Sequence, residues 1–172
     1  MSLEVEKREE PKSSSEVQLI AFYLKEEEFA VEIHQVKEVL RLGKITPIPQ
    51  TLDFVEGVID LRGEVIPIID LRKRFDLCIG ERNGEARIAI VEINGKDMGL
   101  IVDSMNEVLR LPEEQIHPPP DGIAGARTDL IKAVGKKDER LIILLNLGKI
   151  LTTEERISLE EVTIKEDSGI TQ

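Results

Sequence analysis

The stretch that decides the fold is Val17 to Leu42, VQLIAFYLKEEEFAVEIHQVKEVLRL, because a related stretch occurs later in the chain. It aligns without gaps on Ala86 to Leu111, ARIAIVEINGKDMGLIVDSMNEVLRL, 69 positions further on, and both stretches end in EVLRL. Phe54 to Phe75 then aligns on Leu130 to Leu151, 76 positions further on. The matched blocks follow one another in the same order, which indicates an internal duplication.

Each copy is predicted to contain two hairpins and a segment between them. An apolar run, Val17 to Leu24 in the first copy, leads into a turn and a returning strand, and Asn94-Gly95 is a strong turn signal at the matching place in the second copy. The middle segment, Val36 to Leu40, has apolar spacing that fits a helical turn or a third strand, and the alternatives stay open. A second hairpin, with Arg62-Gly63 at its turn, closes the first copy.

Short antiparallel strands with tight turns favour closed barrels. Five such strands cannot bury both faces as an open sheet, so each copy predicts a small barrel and the duplication predicts two. Pro67 lies inside an apolar strand and lacks an amide hydrogen, which predicts an edge or a bulge there. Thr152 and Glu155 predict a capping box and a short terminal helix. The expected fold is mostly β with a few short helices.

Composition excludes several classes of function. The formal charge of −11 and the isoelectric point near 4.8 disfavour nucleic acid and anionic membranes as partners, because both are bound through clustered cations. Cys78 is the single cysteine, so neither an intramolecular disulfide nor a multi-cysteine metal site is possible, which fits a reducing compartment. The polar start and the lack of a membrane-length apolar run predict a cytoplasmic protein without membrane insertion.

The chain is predicted to hold one folded domain between polar ends. Residues 1–15 and 163–172 are expected to be disordered, because they are charged or Ser-rich without apolar periodicity. The domain is expected to span 16–162, with the first repeat at about 17–75 and the second at about 86–151.

The residues that carry catalysis in enzymes do not form a recognisable set here. Asp60, Asp70 and Asp103 fall at predicted strand ends, but no nucleophile with a base, phosphate-binding loop or metal-ligand spacing accompanies them. His34 and His117 stand singly and are expected at the surface. We therefore expect no catalytic residue, no bound cofactor and no metal.

One region resembles a known family. Ile45 to Phe75, ITPIPQTLDFVEGVIDLRGEVIPIIDLRKRF, resembles the signature of the CheW-type coupling proteins of bacterial chemotaxis, with its Pro-x-Pro, Phe-Val-Glu-Gly-Val, Leu-Arg-Gly and Val-Ile-Pro-Ile-Ile-Asp-Leu elements. Gly99 to Asp103 and Leu141 to Asn146 also resemble that family, so the likeness covers roughly 17–160. Asp60 departs from the usual Asn, with little expected consequence because both residues cap turns.

The resemblance implies a fold and a non-enzymatic role. Members fold as two SH3-like five-stranded β-barrels on a shared aliphatic core. They bind the membrane-distal tip of chemoreceptors in a groove between the barrels, and they bind the regulatory domain of the histidine kinase CheA through a barrel end. The implied role is a cytoplasmic adaptor recruited to receptor arrays, which transfers no phosphate itself.

The resemblance also implies partner-binding residues. They are Val36, Glu38, Gly57, Arg62, Gly99, Met105 and Val108. Arg62 is expected to point outward near Glu38 and to orient a partner, because Gly63 alone can supply the turn geometry. An exposed ion pair adds only about 0–1 kcal/mol to stability, so its value would lie in specificity.

The remaining site residues each have a structural alternative. Val36, Met105 and Val108 are expected to line an apolar groove for a receptor helix, with core packing as the alternative. Gly57 and Gly99 are expected to keep the backbone close to a partner, or else to mark a bulge.

Two other functions remain as alternatives. One is the coupling module of a CheV-type scaffold, although this chain ends too soon for the receiver domain of such a protein. The other is a barrel that binds a small molecule between its two units.

Overall fold

A computed structural model shows eleven strands in the part of the chain that it describes, which comprises residues 15–49, 51–77, 80–82, 84–119, 130–152, 154–155 and 158–159. The strands are β1 (Glu16–Leu24), β2 (Glu27–Glu32), β3 (Val36–Arg41), β4 (Val55–Leu61), β5 (Glu64–Asp70), β6 (Arg87–Ile93), β7 (Lys96–Val102), β8 (Ser104–Pro112), β9 (Ile116–His117), β10 (Ile131–Lys137) and β11 (Arg140–Leu145). A one-turn helix, α1 (Leu71–Arg74), follows β5, and short 3₁₀ turns lie at Ile33–Gln35, Glu113–Gln115 and Leu147–Lys149. Cys78 and the predicted disordered ends, apart from Ser15, lie outside the described residues.

The strands form two sheets with the same plan. One sheet has the order β8-β1-β2-β11-β10-β9, and the other has the order β3-β6-β7-β5-β4. In the first sheet β9 follows β8 and pairs with β10 at the far edge, which closes the sheet on itself. In the second sheet Thr46, which follows β3, bridges to Val58 in β4 in the same way. The predicted pair of small barrels is confirmed.

Each barrel is built from both copies of the repeat, which corrects the expectation of one barrel per copy. The first barrel takes β1 and β2 from the first copy and β8 to β11 from the second. The second barrel takes β3, β4 and β5 from the first copy and β6 and β7 from the second. The parallel pairs β2–β11 and β5–β7 are seams between the copies. A repeat in the sequence gives the number and order of strands, but it carries no information on which copy a strand pairs with.

The segment between the hairpins is a strand in both copies, and each strand carries a bulge. The register of β3 on β6 shifts between Val36 and Glu38, and the register of β8 on β1 shifts at the equivalent place. Because a bulge inserts one extra residue, positions three apart come to the same face of the strand. This geometry explains why the apolar spacing of this segment resembled a helical turn.

Three apolar clusters hold the barrels together. The largest draws side chains from strands of both sheets and joins the barrels, and each barrel also has a cluster of its own. In β1, Phe22 belongs to the central cluster while Ala21 lies in the interior of the first barrel. Strands buried on both faces read as continuous apolar runs, as those in this sequence do.

The capping-box prediction agrees with the structure, whereas the prediction for Pro67 agrees only in part. β5 is an interior strand between β7 and β4, but its pairing with β7 begins at Ile68, so Pro67 lies just outside that ladder. Thr152 and Glu155 form the reciprocal bonds of a capping box, at 2.9 Å and 3.1 Å. Glu155 also accepts a bond from the buried Arg74 at 3.2 Å, which ties the C-terminal segment to the second barrel.

Candidate functional site

The hairpin turn between β4 and β5 presents Arg62 to solvent. Arg62 and Gly63 both adopt positive φ angles, of 51° and 87°. The Gly63 amide donates to Oδ1 of Asp60 at 2.9 Å, so Asp60 caps this turn as predicted. The expectation that Gly63 alone supplies the turn geometry is wrong. Arg62 and Gly63 are the two central residues of a two-residue hairpin turn, and both adopt left-handed backbone.

Arg62 forms an ion pair with Glu38 across the end of the second barrel. The guanidinium donates to both carboxylate oxygens of Glu38, one of them at 3.5 Å, while the Arg62 side chain stays 71% exposed. The hydrogen bond from Arg62 lowers the pKa of Glu38 from its ordinary value, and the bond to Glu38 raises the pKa of Arg62. The predicted outward position and the predicted proximity are both observed.

β3 carries an apolar strip, formed by Val36 and Val39, that faces away from the interior of its barrel. Val36 is paired with Val91, and Val39 is paired with Ala89; both β6 partners belong to the central cluster. Val36 packs against that cluster, whereas Val39 is 38% exposed. The strip therefore begins in the core shared by the barrels and continues into solvent.

An equivalent strip lies on β8. Met105 is paired with Phe22 and packs against the central cluster, and Val108 is paired with Ile20. Val108 is 52% exposed, so core packing does not account for it. Core packing does account for part of Val36 and Met105, as the alternative stated. Val39 was not predicted as a site residue, although its equivalence to Val108 in the repeat was a usable signal.

The two candidate glycines have internal packing roles. Gly57 has φ of 146°, and a Cβ there would lie 2.1 Å from the backbone oxygen of Thr46. It also borders a register shift in β4, so the bulge alternative is what the structure shows. A Cβ at Gly99 would lie 2.4 Å from the Ile68 side chain inside the second barrel. Internal packing therefore explains both glycines without a contact to a partner.

The three strand-end aspartates do not form a reaction centre. Asp60 caps its own turn and is paired with Val65. Val65 lies five residues before the buried Asp70 in β5, so the two carboxylates are far apart along the hairpin. Asp70 accepts from the Arg72 amide at 3.0 Å and from Arg82 at 2.5 Å. Asp103 accepts from Arg72 Nε at 2.8 Å, so arginine neutralises both carboxylates.

The described residues hold no group of three or more His, Cys, Asp and Glu side chains in an arrangement suited to a metal ion. His34 and His117 are exposed, as predicted. In the same part of the chain, no helix is long and apolar enough to cross a bilayer.

Known proteins match this architecture over most of the chain. The family model described as the CheW-like domain matches residues 18–155. The chain is 32% identical to the chemotaxis protein CheW of Klebsiella aerogenes, over 84% of this chain and 87% of that protein. It is 34% identical to the chemotaxis protein CheW of Bacillus subtilis, over 79% of this chain and 87% of that protein.

A solved structure agrees with these matches. The crystal structure of the scaffolding protein TtCheW from Thermoanaerobacter tengcongensis superimposes with a TM-score of 0.76 and 38% sequence identity. The match covers 81% of this chain and 94% of that chain. Sequence and architecture thus lead to one assignment: this chain belongs to the CheW-like family.

Proposed function

We propose that this chain is a chemotaxis scaffold that couples the cytoplasmic tips of chemoreceptors to the regulatory domain of the histidine kinase CheA. In this role it is recruited from the cytoplasm to membrane-associated arrays, and it supports regulation of the kinase without transferring phosphate. The observation that carries the proposal is the CheW-like match over residues 18–155, together with the 0.76 TM-score to a scaffolding protein.

The exposed groups fit a docking protein. Val39 and Val108 are aliphatic residues in solvent at equivalent positions of the repeat, next to the core that joins the barrels. The exposed Arg62–Glu38 pair contributes little to stability, so it is suited to orienting a partner. Val36 and Met105 lie on the same strand faces as the two exposed valines. We assign the aliphatic strips to the receptor helix and the ion pair to its orientation.

Reconstitution tests the proposal directly. The purified chain, a chemoreceptor signalling fragment and CheA are mixed, and autophosphorylation of CheA is measured with and without the chain. We expect kinase activity to rise only when all three are present, and we expect each partner to be retained separately in a pull-down. A chain that retains neither partner would refute the coupling role, and a ligand-induced thermal shift would then favour the small-molecule alternative.

Charge introduced on the strips tests their assignment. Val36→Asp and Val108→Asp are each expected to lower receptor-fragment affinity at least tenfold, because a carboxylate is poorly accommodated against an apolar helix face. Leu141→Asp is the matched control, since Leu141 is 65% exposed and lies on the β10–β11 hairpin outside both strips. The Val108 side chain is 52% exposed, so its replacement leaves the core in place and its variant separates lost binding from lost folding. Unchanged receptor affinity in Val108→Asp would remove β8 from the site.

A further inference from the structure

Two arginines face each other at the end of the β3 strip. Arg41 and Arg87 are directly paired in the β3–β6 register, two residues beyond the pair of Val39 and Ala89. Directly opposed residues of an antiparallel pair have Cβ atoms about 5 Å apart, and like charges there repel each other. The arginines lie on the same face as Val39, because strand side chains alternate.

Neither guanidinium is neutralised by a carboxylate in the part of the chain that the structure describes. Arg87 donates to the backbone oxygens of Gly84 and Ala86, at 3.0 Å and 2.9 Å. The Arg41 side chain is exposed and forms no hydrogen bond or ion pair with a described residue. The other charged residues of β3 differ: Lys37 is bound to Asp97 at 2.9 Å and Glu38 is bound to Arg62. An unneutralised cationic pair is notable in a chain whose formal charge is −11.

The fold itself does not require this pair. In the second copy the position of Arg41 is held by Arg110, and its cross-strand partner in the β1–β8 register is Gln18. The same architecture therefore accepts an uncharged residue at the place of Arg87. The fold therefore does not explain why two arginines are opposed at this position, and a binding partner is the remaining explanation.

We propose that Arg41 and Arg87 select a receptor helix that carries carboxylates beyond its aliphatic anchors. This inference rests on the proposed function, because the arginines continue the strip formed by Val36 and Val39. The occupant is therefore a receptor segment with an apolar stripe and an acidic end. Its carboxylates remove the repulsion between the two guanidinium groups, so binding and charge neutralisation are coupled.

The register gives the spacing that the partner must have. Val36, Val39 and Arg41 are opposed to Val91, Ala89 and Arg87, so they form three rungs two residues apart along β6. Each step is about 6.6 Å, at about 3.3 Å per residue. A helix lying along β3 rises about 1.5 Å per residue, so its carboxylate lies about four residues from the anchor at Val39 and about nine from the anchor at Val36.

Charge reversal tests the inference. Affinity for a chemoreceptor signalling fragment from the same organism is measured by calorimetry for the unaltered chain, Arg41→Glu, Arg87→Glu and the control Lys96→Glu. Lys96 pairs with Ile93 at the other end of the β6–β7 hairpin, about 20 Å from Arg87 along the strand. We expect each arginine reversal to weaken binding at least tenfold, with a reduced dependence on salt, and Lys96→Glu to change it less than twofold.

Arg41→Gln separates selection from folding. It removes the repulsion and breaks no described contact, so we expect an equal or higher Tm together with an affinity lowered several-fold. Lysine substitution of the receptor carboxylates is expected to restore binding to Arg41→Glu. Receptor affinity within twofold of the unaltered chain in both arginine reversals would overturn the inference, as would loss of CheA binding in place of receptor binding. An unaltered chain that binds no receptor fragment would instead count against the proposed function.

Discussion

Arg62 is held in a backbone conformation that long side chains rarely adopt. Its φ of 51° places it in the left-handed region, which costs roughly 1–2 kcal/mol for a residue with a Cβ. The exposed ion pair with Glu38 offsets little of that conformational cost. A residue kept at a strained position without a stability benefit is expected to serve binding.

Substitutions at Arg62 should separate stability from coupling. Arg62→Ala keeps a Cβ at the same φ, so we expect its Tm to stay nearly unchanged. Arg62→Gly removes the conformational cost, so we expect a gain of roughly 0.5–1 kcal/mol in the free energy of unfolding. Both variants should lose receptor-dependent activation of CheA, which is measured by autophosphorylation in reconstituted arrays. Unfolding of Arg62→Ala would show that the side chain has a structural role.

The titration of Glu38 reports the same ion pair. Because its pKa is lowered in the folded chain, Glu38 contributes stability above its unfolded pKa and loses that contribution as pH falls through the lower folded value. We expect carboxyl ¹³C shifts in Arg62→Ala to show the Glu38 pKa moving back up towards its ordinary value, because the hydrogen bond that lowers it is gone. Equal titration curves in the two proteins would mean that Arg62 does not hold Glu38 in solution.

At the scale of elements, the sequence predicted the hairpins well and the middle strand poorly. Asn94-Gly95 and Arg62-Gly63 adopt positive φ at their turns. This preference depends on the turn residues themselves, so it can be predicted from the sequence. The segment from Val36 stayed ambiguous because its bulge brings positions three apart to one face. The exposure of Val108 and the pairing of Arg41 with Arg87 depend on strands from the other copy. The local sequence pattern therefore could not predict them.

The two strand glycines should differ in their tolerance of a methyl group. Gly57→Ala would place Cβ against rigid backbone at Thr46 and force an unfavourable φ, so we expect a loss of about 3 kcal/mol or more. Gly99→Ala meets movable side-chain atoms of Ile68 and Ile88, and its equivalent in the first copy is Ala30, so we expect about 1–3 kcal/mol. Urea unfolding measures both. A larger loss in Gly99→Ala would contradict the backbone contact at Gly57.

At the scale of the whole molecule, a partly buried ionic network links the barrels beside the central core. Arg72, in α1 after the second barrel's β5, binds Asp103. Asp103 in turn accepts from the Lys25 amide in the first barrel's hairpin at 2.6 Å, and its own amide donates to the Tyr23 oxygen at 2.9 Å. A network of this kind fixes the relative position of two packed units more than it adds stability.

Removing one partner of that network should be costly. Arg72→Met leaves the mostly buried Asp103 carboxylate without its cation, so we expect a loss of about 3–5 kcal/mol in the free energy of unfolding. Lys73→Met is the control within the same helix, since its pair with Glu56 is half-exposed and should be worth about 0–1 kcal/mol. Chemical denaturation compares the two. Similar losses in both variants would show that Arg72 does not link the two barrels.

The exchange of strands between copies governs how the polypeptide can be divided. Cutting between Leu77 and Ala86 separates β1–β5 from β6–β11, so neither fragment holds a complete barrel. The fragments should stay unstructured alone and reassemble on mixing, by complementation. Intact chains have the same complementary halves. At high concentration two molecules can therefore exchange these halves and form a domain-swapped dimer. For this architecture, dilution during refolding therefore favours the monomer.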